Sequence, residues 1–367
     1  MADGRPGGPP AAVCVGESMA VLVADRPGPL EHVPAFHRTV GGAESNVACG
    51  LAALGRPAAW ISRVGADGLG RHLVAELAAR GVDTSAVAVD PHRPTGLYLK
   101  EVGSGADDPY SGHPYDPGPG RSRPHYYRGG SAASALGPEL LADPAAAALL
   151  AAAPLVHLSG ITAALSDSCL ALLRALLARP RPTGRTVSLD LNWRPALWHG
   201  RDPGVLPGLL DAADLVLLGA DEAAEALGTA DPAALRALLP HPATLVVKDA
   251  EHAATAVARD GGTVTEPALR VEVVEATGAG DAFAAGYLTA LLRGLDRRRG
   301  LRLGHLCAAA ALTVPGDHAP PPPPAAVDAL LAASPADWAA TRVTAAGIDS
   351  PALGPPNADN DPPGGAR

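Results

Sequence analysis

Thr277-Gly278-Ala279-Gly280-Asp281 is followed directly by Ala282-Phe283-Ala284-Ala285-Gly286-Tyr287-Leu288. Small and apolar residues then recur at helical spacing through Leu292, and Val271-Glu272-Val273-Val274-Glu275 ahead of the glycines reads as a strand end. A glycine-rich turn therefore opens a helix. Amides at a helix N-terminus lack intrahelical partners and carry partial positive charge, which suits a phosphate or another anionic oxygen. Gly278 and Gly280 permit close approach of a ligand to the backbone. Asp281 falls in the first helical turn, beside that anion site. A carboxylate there can take the proton of a hydroxyl that attacks phosphorus, while the amides absorb charge on the transferred group. An isolated Gly-x-Gly-Asp is more often a plain N-cap after a tight loop, so the neighbouring sequence has to decide.

The chain has 367 residues, enough for one large α/β domain with an appendage or for two domains. Apolar residues make up 47% and aromatics only 3%, so the core must be built from Ala, Leu and Val. No uninterrupted apolar run reaches membrane-spanning length, and Met1 to Pro10 lacks the apolar centre of a signal peptide; a soluble, cytoplasmic protein is expected. A net charge of −9 argues against a nucleic-acid partner. Cys14, Cys49, Cys169 and Cys307 lie far apart and read as core thiols, and the twelve histidines show no metal-ligand spacing.

Along the chain, residues 1–11 are Gly/Pro-rich and read as disordered. Val13 to Glu17 reads as a buried first strand. Thr39-Val40-Gly41-Gly42-Ala43-Glu44-Ser45-Asn46 leads into a small-residue helix from Val47 to Leu54 that Gly55 stops. Neutral polar groups at such a helix start suit sugar hydroxyls, and equally suit a glycine loop with a capping asparagine. Thr95 to Lys100 and His125 to Arg128 are short β-prone runs flanking a Gly/Pro/Asp-rich insert, 102–124, that reads as a mobile loop. From Leu155 strands and helices alternate: strands at 155–159, 186–191, 214–218 and 244–248, helices at 166–178 and 229–239. Repeated βα units predict a mostly parallel sheet covered by helices on both faces, with ligands at the carboxyl ends of the strands. The tail from 347 to 367 reads as disordered, which leaves 12–346 as the folded domain.

The glycine stretch resembles the C-terminal signature D-T-x-G-A-G-D of the ribokinase-like, phosphofructokinase B-type sugar kinases; Glu275 and Ala276 stand where the first two residues usually do. Gly-Gly-x-x-x-Asn at 41–46, ahead of an Ala-rich helix ending in Leu-Gly, is similar to the N-terminal half of that signature. Further stretches resemble the branch that acts on 2-keto-3-deoxygluconate. They are Gly96 to Leu99, Tyr126-Tyr127-Arg128 with Ser131 to Leu136, His157 to Thr162, Ser188 to Pro195 with Leu197-Trp198, and Gly316-Asp317-His318. The matches span residues 13 to 318.

The resemblance implies a three-layer α/β/α fold with a mostly parallel central sheet. A small β-sheet lid would come from about 13–40 and 95–130, and through it a homo-oligomer would form. It implies ATP and Mg2+ as cofactors. Sugar contacts would come from Gly42, Ala43, Glu44, Ser45, Asn46, Tyr98, Tyr126, Arg128, Arg194 and Asp317. Asn192, Arg194, Lys248, Thr277, Gly278, Ala279 and Gly280 would meet the nucleotide, and Glu222 the metal through water. Asp281 would be the base, with Gly278, Ala279 and Gly280 stabilising the phosphoryl group. Chemistry supports the acid branch separately: a ketodeoxy acid carries a carboxylate that ribose or fructose lacks, and arginine binds carboxylates with a planar fork. An arbitrary arginine is more often in a surface ion pair; Arg128 and Arg194 stand out because each follows an aromatic at a strand end.

Two departures touch the nucleotide half. Lys248-Asp249-Ala250-Glu251-His252-Ala253 replaces the family's Lys-x-Gly-x-x-Gly, and alanine is tolerated there if neither position needs a positive φ. Gly219-Ala220-Asp221-Glu222 keeps only the glutamate of Asn-x-x-Glu. These departures leave open a sugar-acid sensor with weak phosphotransfer and a kinase for a neutral sugar. A dehydrogenase is disfavoured, since no dinucleotide-type glycine fingerprint follows the first strand.

Overall fold

Residues 8–105, 107–118, 121–180, 184–316 and 319–354 are described in the computed structural model of the chain. Its strands, in chain order, are β1 (Ala12–Val15), β2 (Met19–Ala24), β3 (Phe36–Gly41), β4 (Ala58–Gly65), β5 (Val82–Asp83), β6 (Val87–Asp90), β7 (Leu97–Val102), β8 (Ser122–Tyr127) and β9 (Leu155–Ser159). After them come β10 (Thr186–Asp190), β11 (Leu215–Gly219), β12 (Thr244–Asp249), β13 (Ala253–Ala258), β14 (Thr263–Pro267), β15 (Arg270–Val271), β16 (Arg342–Thr344) and β17 (Gly347–Asp349).

The interior strands are continuous apolar runs, as expected when both faces of a sheet are buried. Successive side chains divide between the two faces. Val13, Ile61, Leu158, Leu218 and Val247 join one core cluster; Cys14, Trp60, Leu155, Leu217 and Val246 join the other. The ten-stranded sheet runs β14-β13-β12-β11-β10-β9-β1-β4-β5, with β6 also on β4. It is parallel from β5 through β12 and ends in the antiparallel pairs β12–β13 and β13–β14. Helices cover both faces, and the three-layer, mostly parallel architecture holds. The hairpin β13–β14, missing from the sequence reading, carries its signal in Arg259-Asp260-Gly261-Gly262 between two β-prone runs.

A second sheet, β3-β2-β7-β8, rises from the carboxyl end of β1 and forms the small lid. The insert between β7 and β8 folds back onto it: Tyr110 stacks on His32 with ring centroids 4.9 Å apart, and the Ser104 amide donates to Asp116 Oδ1 at 2.8 Å.

Three expectations are corrected. The run 271–275 is not a strand end of the main sheet: only Arg270–Val271 is extended, paired with β16 in a separate three-stranded sheet, and Val273 and Val274 are exposed. That same sheet includes β17, so order continues past the expected boundary at 347, and Ser350 is buried. At the other end Pro10 is buried and the Ala11 amide donates to the Pro57 carbonyl at 2.7 Å, so the domain edge lies before residue 12. The expected disorder of 1–7 and 355–367 lies outside the described residues. Among the described residues no helix is long and apolar enough to cross a membrane.

Candidate active site

The strand order reverses around β1: β4 lies on one side of it and β9 on the other, so the crevice beyond their carboxyl ends is a topological switch point. Charged and polar residues gather along that edge. Glu17 follows β1, Ser159 ends β9, Asp190 ends β10, Gly219 ends β11, and Lys248 lies at the end of β12.

The helix Ala279–Leu292 reaches the same edge. Gly278 precedes it at φ +83°, a left-handed conformation that only glycine adopts without strain, and no side chain caps the helix start. Asp281, half-buried in the first turn, accepts a hydrogen bond from Asn46 Nδ2 at 2.8 Å. The partner comes from the helix Ala43–Ala53, which begins four residues earlier than expected and packs closely on the Asp281 helix. A Cβ added to Gly50 would lie 2.6 Å from the Ala285 Cβ. A Cβ added to Gly280 would meet Lys248 Nζ at 3.9 Å, so an ammonium stands beside the turn. Lys248 donates to Asp190 Oδ2 at 2.9 Å. Burial works to lower its pKa, but the charges of Asp190, Glu222 and Asp281 outweigh it and hold the group cationic.

Glu222 accepts from Arg194 Nη1 at 2.8 Å and from the Gly219 amide at 3.3 Å. Burial, then the neighbouring Asp190 charge, pushes its carboxyl above the usual range. Asn192 sits at φ +40°, and its Oδ1 is buried without a hydrogen-bond partner. The loop after β12 corrects another expectation: Ala250 takes φ +40°, so alanine occupies a position where glycine would be unstrained.

On the lid side, Tyr98 is buried on β7 and packs against the exposed Tyr126 of β8, with centroids 5.3 Å apart. Arg128 lies 5.3 Å from the Tyr126 ring centroid and pairs with the buried carboxylate of Glu17, which also accepts from Ser131 Oγ at 3.1 Å. Arg128 Nε is buried and without a hydrogen-bond partner. Gly42 is required by close approach, since a Cβ there would lie 2.7 Å from Ser18 Cα. Ser45 Oγ is 2.9 Å from Ser18 Oγ, and Asn46 Oδ1 is buried without a partner. Ala43 is buried beside them.

One sequence expectation fails here. Glu44 exposes no surface; its carboxylate turns inward and accepts from Ser159 Oγ at 2.7 Å and Thr162 Oγ1 at 2.6 Å, so it braces the floor and does not face a sugar. Arg128 and Arg194 do not share a partner. The first is held by Glu17 after β1, the second by Glu222 after β11, and β9 and β10 lie between those strands. Asp317 lies outside the described residues. The sequence reading missed Glu17 and Asp190, although a carboxylate at the carboxyl end of a buried parallel strand was a usable signal.

Among the described residues no three His, Cys, Asp or Glu side chains gather to hold a metal ion. Magnesium keeps its waters and is carried on phosphates with one or two carboxylates nearby; Glu222 and Asp190 are neighbouring carboxylates of that kind. The uncapped amides and Lys248 fit a phosphate.

The profile described as pfkB family carbohydrate kinase matches residues 10–109 and 126–324, and the gap falls on the insert. The chain is 37% identical over 312 residues to 2-dehydro-3-deoxygluconokinase of Thermoproteus tenax, covering 83% of this chain and 89% of that protein. It is 33% identical over 318 residues to 2-dehydro-3-deoxygluconokinase of Bacillus subtilis, covering 83% and 90%. The crystal structure of a PfkB protein from Polaromonas sp. JS666 matches with a TM-score of 0.70 at 35% identity, covering 83% of this chain and 97% of that one. With a kinase profile over most of its length and an anion-binding turn beside a carboxylate, the chain belongs to the pfkB family of carbohydrate kinases.

Proposed function

We propose that this carbohydrate kinase phosphorylates a sugar acid, 2-keto-3-deoxygluconate at its terminal 6-hydroxyl, with ATP as the phosphoryl donor. The observation that carries the phosphotransfer is Asp281, oriented by Asn46 beside an uncapped helix start with the Lys248 ammonium next to it. Asp281 accepts the proton of the attacking hydroxyl. The amides of residues 278–280 and Lys248 take up the charge that develops on the transferred group. Asn192 and Arg194 approach the nucleotide phosphates. Bound magnesium would neutralise phosphate charge, with Glu222 and Asp190 holding its waters.

The acid preference is supported by Arg128 and by the names of the relatives. A buried guanidinium with an unpaired Nε, set under the lid aromatics, suits a substrate carboxylate. Glu17 offsets part of that charge, so the preference is set by the balance within the Arg128–Glu17 pair. The exposed Tyr127 on the lid's edge strand β8 supports assembly of two copies through the lid.

A coupled ADP-release assay over 2-keto-3-deoxygluconate, its galactonate epimer, fructose and ribose tests the reading. Turnover with a ketodeoxy acid, at a kcat/KM at least tenfold above either neutral sugar, is expected. Preference for a neutral sugar that survives Arg128→Met would replace the acid reading. Thermal stabilisation by the acid without ADP release would mean a sensor.

A further inference from the structure

Of the two residues where the turn's sequence departs from the family signature, Glu275 is not idle. Its side chain is mostly buried and forms an ion pair with Lys100, which is 4% exposed and belongs to lid strand β7. The other carboxylate oxygen accepts from the Gly316 amide at 3.0 Å. The segment is fastened again one residue earlier, where the Val274 amide donates to the Leu312 carbonyl at 2.8 Å. Two residues further on the anion-binding turn begins.

Alternation along β7 puts Lys100 on the same face as Tyr98, the lid tyrosine proposed to cover the sugar. Its neighbours across the ladder are Val23 and Pro124, neither of which carries charge. A buried ammonium at that place needs an anion, and Glu275 supplies one from outside the lid.

We infer that Lys100 and Glu275 are a positioning pair that couples the sugar-facing strand of the lid to the turn that receives the phosphoryl group. Neither touches the reacting atoms. The pair fixes the height of β7 above the turn, so that a phosphate seated on residues 277–280 and a sugar held under Tyr98 meet at one spacing. Nucleotide at the turn therefore orders the lid, and breaking the pair uncouples the two. The inference rests on the kinase reading of the turn and is independent of which sugar is used.

Hydrogen exchange of the full chain, with and without magnesium and a non-hydrolysable ATP analogue, tests it without turnover. In the wild type the analogue is expected to slow exchange in both 275–280 and 97–102. In Lys100→Met and Glu275→Gln it should slow exchange only in 275–280. Lid protection equal to wild type in either variant would overturn the coupling; a wild type in which the analogue protects no segment would instead count against the kinase reading. With whichever sugar the wild type turns over, Lys100→Met should raise the sugar KM about tenfold and leave the nucleotide KM within twofold. Lys100→Arg should restore most of the loss. The double variant Lys100→Met/Glu275→Gln removes both charges of the pair and should be no worse than either single. Losses that multiply in the double variant, or shifts confined to the melting midpoint, would reject a positioning role.

Discussion

Asp281 and Lys248 stand at one turn, and the neighbours decide the charge of the lysine. Lys248 stays cationic because three carboxylates outweigh its burial. The same residue-by-residue logic exposes strain at Ala250, whose φ of +40° costs a β-carbon about 1–2 kcal/mol. Part of that is offset by the unfolded-state entropy glycine adds, so Ala250→Gly should stabilise the protein by up to about 1 kcal/mol. Denaturant unfolding checks it; a destabilised Ala250→Gly would show that the loop has adapted to alanine. At this scale the sequence was a good guide to the turn glycine Gly278 and to the place of Asp281 in the first helical turn. It misled at Glu44. The one-dimensional motif does not say which way a helix's first turn faces, and the absent side chain of Gly16 opens a buried slot that Glu44 fills.

The elements meet through small residues. Gly50 lets the helix Ala43–Ala53 sit against Ala285, and that approach brings Asn46 within 2.8 Å of Asp281. Gly50→Val should therefore cost about 1–3 kcal/mol by overpacking and should also lower turnover at temperatures where the variant is folded, as steady-state kinetics with a melting control would show. Unchanged turnover in a destabilised variant would separate this packing from the site. Element types and order were legible because the βα units announce themselves through apolar strands and periodic helices. The strand expected before the glycine turn is cut short: Val271-Glu272-Val273-Val274 has β propensity, yet only its first residue finds a ladder partner. The hairpin β13–β14 escaped because its strands are rich in alanine and threonine, which give a weak periodic signal.

For the whole molecule, the sheet order explains why residues from positions 17 to 281 share one edge: parallel strands all end on the same side. That convergence could be foreseen as a class, from repeated βα units, but the separation of Arg128 from Arg194 could not, because strand order is not written in local pattern. Folding also sets an acid limit. His157 and His305 are buried, and burial lowers each to a pKa of about 4. The unfolded chain protonates them first, near pH 6.5, so their contribution to stability is intact above that pH and is lost as the pH falls toward 4. Glu17 and Glu44, held above the usual carboxylate range by burial, act in the opposite sense, and their stabilisation is lost as the pH rises. His305→Gln isolates one term: its melting midpoint should fall less than the wild type's between pH 7 and pH 5, and parallel curves would remove His305 from the acid limit.

The central claim is that the carboxylate at the uncapped helix start is the base for phosphoryl transfer. Its most direct measurement is Asp281→Asn, assayed for ADP release and, separately, for sugar-acid binding by calorimetry. The account predicts turnover reduced by about 10³-fold, with binding retained within a few-fold. Near-normal turnover in Asp281→Asn would contradict it.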